Sequence, residues 1–354
     1  MHKLIIADIK TPVTNGNVIG HWVTCARNYL AMFGLQKKTF VAGGPIYNRY
    51  FFKDLFELPY DLQMLGESKL VNKLKYFANA RHLFKHSQSD DTIVVQQGAD
   101  ATFFLACALF YSKKTNNTLY LIQYSTDSIK GLFKKLLFAM AKHKMNGIIC
   151  PNEEVGKAFG LPYCVVPDYI YTGTDVREQI PYSDKVYDIC ILGRIEREKG
   201  VVEAVRRLAK SSLQVVVAGQ SSDPMLVEDL SDICKHTDTI RLEMGFVSDE
   251  AYNAYLDQSR FAVLNYSEEY SNRSSGVIYD ILFHRVPIIG RQCKTMQLIS
   301  EWGMGYVYAS LEECDFSAIV TEANHSMYKQ AIEKYLHQNE QYVARLGNFL
   351  QIMK

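Results

Sequence analysis

The sequence lacks an apolar run long enough to cross a bilayer: its longest, Ala101 to Tyr111, falls well short of the roughly 20 residues that a spanning helix needs. It also lacks the apolar core of a secretory signal, because the stretch Leu4 to Ile6 is soon interrupted by Asp8. A cytoplasmic protein is the expectation. The eight cysteines include no Cys-x-x-Cys pair and adjoin no histidine cluster, which argues against a metal or redox motif and for free buried thiols. Nor is there an excess of charge, with 39 lysines and arginines against 38 aspartates and glutamates. The basic residues are not interleaved with aromatic platforms, so no nucleic-acid partner is expected.

What is present is an ordinary globular composition, 48% hydrophobic and 22% charged. A chain of 354 residues exceeds what one core usually serves, so two domains are expected. Charge is divided unevenly, with 21 basic and 14 acidic residues up to position 180 and 18 and 24 beyond it. The basic half therefore suits an anionic partner. Short apolar strands at Lys3 to Ile9, Thr39 to Ala42, Thr92 to Gln97 and Thr118 to Gln123 alternate with helical patterns, the first of them His21 to Phe33. After Pro181 the alternation restarts at Tyr187 to Leu192 and runs to Val286 to Ile289. The expected architecture is α/β, with two doubly wound Rossmann-like domains, 1–180 and 181–326, facing each other across a cleft. A helical tail over 327–354 is expected to pack back on one of them. Ligands of open α/β sheets bind at the carboxyl ends of strands, so function is sought there.

Two segments carry chemistry. The run Gly193-Arg194-Ile195-Glu196-Arg197-Glu198-Lys199-Gly200 follows a strand and precedes a helix. Gly193 permits a tight exit, Arg194 offers a planar fork for phosphate, and Lys199 adds a point charge. The same charges also suit an exposed helix start. About 80 residues on, Ser274, Ser275 and Gly276 stand where a helix begins, so its unpaired N–H groups and positive dipole end form an anion site, with Asp280 a turn further on as a ribose ligand. A plain serine cap with a solvated aspartate is the alternative.

In this order and spacing the two segments resemble those of the retaining GT-B glycosyltransferases of family 4, and the resemblance spans nearly the whole chain. That family's Gly-Arg-x-x-x-x-Lys-Gly is complete here, which implies that Arg194 and Lys199 hold a donor diphosphate and act in catalysis. Its Glu-x7-Glu pair falls on Asn272 and Asp280, so Asp280 keeps the ribose role while Asn272 faces the donor sugar. Met244 to Glu250 resembles the turn whose backbone, at Phe246 and Val247, holds the base. Thr14 to His21 resembles the glycine loop that approaches the donor phosphates, with Gly16 carried over. Where many members of that family have a His-Asp or His-Glu pair near the reacting sugar, this chain has no histidine, and Tyr124 or Asp127 is expected to line the site.

The implied activity is metal-independent transfer of a hexose, with retention, from a UDP- or GDP-sugar to a saccharide or lipid-linked acceptor in surface polysaccharide or glycolipid biosynthesis. No cofactor is expected, and no Asp-x-Asp pair is present. The basic segments Lys130 to Lys144 and Lys69 to His86 read as amphipathic helices suited to an anionic membrane face or, more plainly, as solvated helices with a core-facing stripe. A non-catalytic binding or regulatory protein of the same fold, and a sugar-nucleotide epimerase, are the other readings.

Overall fold

A computed structural model describes residues 3–18, 22–34, 38–96, 99–112, 117–172, 178–267 and 275–352. The chain divides into two compact units, Met1–Thr174 with Glu340–Lys354, and Asp175–Asn339.

The first unit contains strands β1 (Lys3–Ala7), β2 (Pro12–Thr14), β3 (Asn17–Val18), β4 (Lys38–Gly43), β5 (Leu55–Glu57), β6 (Leu62–Gln63), β7 (Thr92–Val95), β8 (Thr118–Ile122), β9 (Gly147–Cys150) and β10 (Tyr163–Val165). Seven of them form a sheet in the order β10-β9-β8-β7-β1-β4-β5, with every pairing parallel. Alternate side chains leave opposite faces of a strand, and the strands are buried on both. Ile5, Ala7, Ile93 and Val95 thus pack against the helices Lys69–His86, Ala101–Phe110 and Leu132–Lys142. Leu4, Ile6 and Val94 pack against the helices Trp22–Phe33 and Gln341–Phe349.

The segment expected as a plain glycine loop after β1 contains a hairpin. β2 and β3 pair antiparallel around Asn15 and Gly16, whose φ values of +49° and +72° suit the two-residue turn that matches strand twist. The expected tail is two helices. Glu322–Asn339 belongs to the second unit, whereas Gln341–Phe349 belongs to the first, where Tyr120 Oη donates to the Phe349 carbonyl at 3.0 Å.

The second unit contains β11 (Tyr187–Leu192), β12 (Val215–Gly219), β13 (Ile240–Met244), β14 (Ser259–Leu264), β15 (Ile288–Arg291) and β16 (Gly305–Tyr308). Their order is β13-β12-β11-β14-β15-β16, all parallel. Counted from β11 this is 3-2-1-4-5-6, the doubly wound order, and the direction of winding reverses between β11 and β14. In the first unit the reversal lies between β1 and β7. Ile189, Ile191, Val263 and Phe261 pack beneath Val202, Val205 and Leu208 of the helix Val201–Leu208.

Candidate functional site

At the reversal in the second unit, the chain leaving β11 and the chain leaving β14 enclose a shallow recess. Arg194, Lys199, Asn265 and Tyr266 line it. Gly193 makes the tight exit from β11 at φ +103°, with its amide donating to the Ala218 carbonyl at 3.2 Å. A Cβ there would lie 3.2 Å from Val277 Cγ2, so the first charged segment runs directly against the start of the helix Gly276–Phe283. The Ser267 amide donates to the Glu198 carbonyl at 2.9 Å, which clasps the two segments through their backbones.

Arg194 and Lys199 occupy unlike settings. The Arg194 side chain is 67% exposed, and its Nε meets Glu196 Oε1 at 3.0 Å. That pairing holds one edge of the guanidinium and leaves its terminal amino groups for a planar anion. Lys199 is 9% exposed, and its Nζ donates to the Arg194 carbonyl at 2.7 Å. The lysine therefore braces the loop that carries the arginine. Gly200, at φ +58°, starts the following helix, and Asn265 crosses to it with Nδ2 on the Gly200 carbonyl at 2.8 Å. Asn265 is itself held by Tyr308, whose Oη donates to Oδ1 at 2.8 Å.

Ser275 is the N-cap residue of the helix Gly276–Phe283, but its side chain does not cap it. Its Oγ lies 2.7 Å from Tyr266 Oη instead, and both groups are buried. The serine-cap alternative is thus not realised at Ser275. On the same helix, Asp280 Oδ2 accepts from Tyr252 Oη at 3.3 Å. Burial and that carboxylate push the Tyr252 phenol well above its usual range. Tyr252 belongs to the helix Asp249–Asp257, which Ser248 caps through Ala251 N at 3.2 Å. The turn before it is anchored by Gly245 N on the Gly219 carbonyl at 2.9 Å, and it presents Phe246 64% exposed beside a half-buried Val247. Asp280 and the expected base-binding turn are in this way linked through Tyr252. Asn272 and Ser274 lie outside the described residues.

In the first unit, Gly16 sits at the hairpin tip, where Arg49 Nη1 donates to its carbonyl at 3.0 Å. Tyr124 lines a shallow recess at the carboxyl ends of β8 and β9, together with Asn28, Cys150 and Asp168. Asp127 does not join that lining. It is 69% exposed and pairs with Lys130 at 2.6 Å, which holds its carboxyl below the ordinary range.

Sequence reasoning missed Asn265 and Tyr266, which complete the recess, and Asp8. Asp8 directly follows β1 at the reversal of the first sheet and is fully buried; it accepts from Tyr47 Oη at 2.5 Å and from Thr11 N at 2.8 Å. Burial pushes its carboxyl to about 7, against the pull of those hydrogen bonds. An aspartate closing an apolar strand was the available signal.

No family model and no curated protein matches the chain. Solved structures resemble it in fold. The α,α-trehalose-phosphate synthase (UDP-forming) of Burkholderia xenovorans, in complex with glucose-6-phosphate, is 9% identical, with a TM-score of 0.66 over 99% of this chain and 100% of that one. Anabaena HepE in complex with UDP-glucose is 11% identical, with a TM-score of 0.63 over 98% and 99%. AviGT4, a glycosyltransferase involved in avilamycin A biosynthesis, is 12% identical, with a TM-score of 0.63 over 99% and 98%. At such identities the likeness establishes architecture. The chain has the α/β GT-B fold of two doubly wound, Rossmann-like domains.

Proposed function

We propose that the chain is a glycosyltransferase moving a hexose from a UDP- or GDP-sugar to a saccharide, free or lipid-linked, with retention of configuration, in surface polysaccharide or glycolipid biosynthesis. The observation that carries this reading is the convergence of the Arg194–Lys199 loop with the start of the helix Gly276–Phe283, at the reversal of a doubly wound sheet. The loop that carries the guanidinium then abuts the positive end of a helix at Gly193, an arrangement suited to a diphosphate. Tyr252 steadies Asp280 for the ribose hydroxyls, and Phe246 with Val247 offers an apolar edge and backbone to the base. Ser275 and Gly276, with Ser274, receive the phosphates, and Asn272 meets the donor sugar. Gly16 is assigned to the donor phosphates, and Tyr124 and Asp127 to the acceptor or sugar.

As the bond from the anomeric carbon to the diphosphate breaks, negative charge grows on the leaving oxygen. Arg194 stabilises it directly, and Lys199 does so from the loop beneath. The acceptor hydroxyl attacks from the face the diphosphate leaves, and the diphosphate takes its proton. No protein nucleophile is needed, and no metal: turnover is expected to persist in EDTA. Calorimetric titration with UDP, GDP and their hexose conjugates tests the reading. One of the two nucleotides should bind and its sugar conjugate should turn over with acceptor; the absence of binding by either would sink it. Binding without turnover would favour a regulatory protein of the same fold, a reading supported by the absence of histidine from Tyr124 to Asp127, where many retaining GT-B enzymes of family 4 carry a His-Asp or His-Glu pair.

A further inference from the structure

One side of the first unit's sheet is covered by three helices laid side by side, Lys69–His86, Ala101–Phe110 and Leu132–Lys142. Ring contacts tie them together, with Phe77 and Phe110 at 5.3 Å and Phe104 and Phe138 at 5.1 Å. A helix at a protein surface ordinarily buries one apolar stripe and turns polar residues to water. The helix Leu132–Lys142 buries Leu137, Phe138 and Ala141 in this way. Its opposite side is apolar as well: Leu132, Leu136 and Met140, at i, i+4 and i+8, are 90%, 60% and 47% exposed, and Phe133 beside them is 69% exposed. On Lys69–His86 the outward pair Leu70 and Leu74 repeats the feature at 67% and 61%.

The charges within these helices have one sign. Lys69–His86 holds five lysines and arginines and Leu132–Lys142 three, while none of the three helices contains an aspartate or glutamate. Lys75 pairs with Glu67 at 2.5 Å and Lys134 donates to the Asp127 carbonyl, whereas Lys69, Lys73 and Lys135 are exposed. In a chain whose charges nearly balance, this concentration is local. A second copy of the layer would bring cations against cations. An extended anionic surface with an apolar interior beneath it complements both features at once. No described helix is long and apolar enough to cross a membrane, so attachment would be to its face.

We propose that this three-helix layer docks on an anionic lipid membrane, with Leu132, Phe133, Leu136 and Met140 at the boundary of headgroups and acyl chains and the lysines against the headgroups. The proposal concerns a surface of the first unit and stands whether or not the chain transfers sugar. Flotation with vesicles of phosphatidylglycerol and phosphatidylcholine, beside vesicles of phosphatidylcholine alone, tests it. The protein should float with the anionic vesicles, release as salt is raised, and leave the neutral ones unbound. The double variant Leu132→Gln, Leu136→Gln should lose at least about tenfold in partitioning, since each leucine returns its apolar surface to water, with its melting temperature unchanged because both side chains are exposed. No flotation at low salt, equal binding to neutral vesicles, or equal binding by the double variant would overturn it. So would a dimer that the same two substitutions dissociate, which would make the layer a contact between copies.

Discussion

Arg194 and Lys199 are five positions apart, and their surroundings give them separable roles. Arg194 is largely exposed and touches the protein through Nε, so Arg194→Ala should leave the melting temperature almost unchanged while lowering kcat/KM by about two to three powers of ten, the usual cost of one lost charge at a developing anion. Lys199 is buried on the Arg194 carbonyl, and Lys199→Ala should lower both turnover and stability, the latter by about 1–3 kcal/mol for an orphaned polar group. Steady-state kinetics beside thermal melts separates the two outcomes; equal melting loss in both variants would contradict the assignment. Asp8 supplies a pH dependence. Its carboxyl is raised from the ordinary 3.8 to about 7 in the folded protein, so the folded state favours the protonated form. Its contribution to stability is complete below about pH 4, declines as pH rises toward 7 and is absent above. The decline amounts to something on the order of 4 kcal/mol. Asp8→Asn keeps an acceptor for Thr11 and a polar partner for Tyr47, and should flatten this slope when melts are compared between pH 4 and 8.

The chain leaving β14 and the loop before Val201–Leu208 form one structural element in practice. Gly200 permits it: a Cβ there would sit 2.3 Å from the Asn265 carbonyl oxygen and 2.6 Å from its side-chain nitrogen, at a φ of +58° that side chains rarely adopt. Gly200→Ala should therefore cost about 2 kcal/mol or more and weaken nucleotide binding at least tenfold, readable by denaturant melts and calorimetry. Elements of this kind are legible in sequence because glycines, charges and a polar turn before an apolar helix act locally. The alternation of strands and helices in 187–289 was legible too, with ends displaced by a residue or two. Strands β5, β9, β10 and β16 were not, since three or four residues are too few to show a periodicity that separates them from loop. The hairpin at Asn15 and Gly16 has no strand signature in the sequence because its strands are only three and two residues long.

At the scale of the molecule, each unit has its own sheet and its own core, and the chain enters the first unit twice. Leu346 and Leu350, 0% exposed, pack with β8 and β9 residues more than 180 positions earlier. Leu346→Ala should cost about 2–5 kcal/mol in the first unit while the second melts as before, so calorimetry should show one transition displaced and the other unmoved. The break at Glu340 that sends the last helix to the first unit has no marker in the sequence, since a helical pattern reads the same wherever it packs. By itself the sequence determined the doubly wound pattern and the two segments, a charged strand exit and a serine-glycine helix start, because turn chemistry, helix ends and charge are properties of neighbouring residues. Only the tertiary structure decided that the two segments touch, that Lys199 lies beneath Arg194, that Ser275 turns to Tyr266 rather than to its own helix, and which strands flank each reversal. Those are contacts between residues far apart in the chain, and they are set by which buried surfaces fit together.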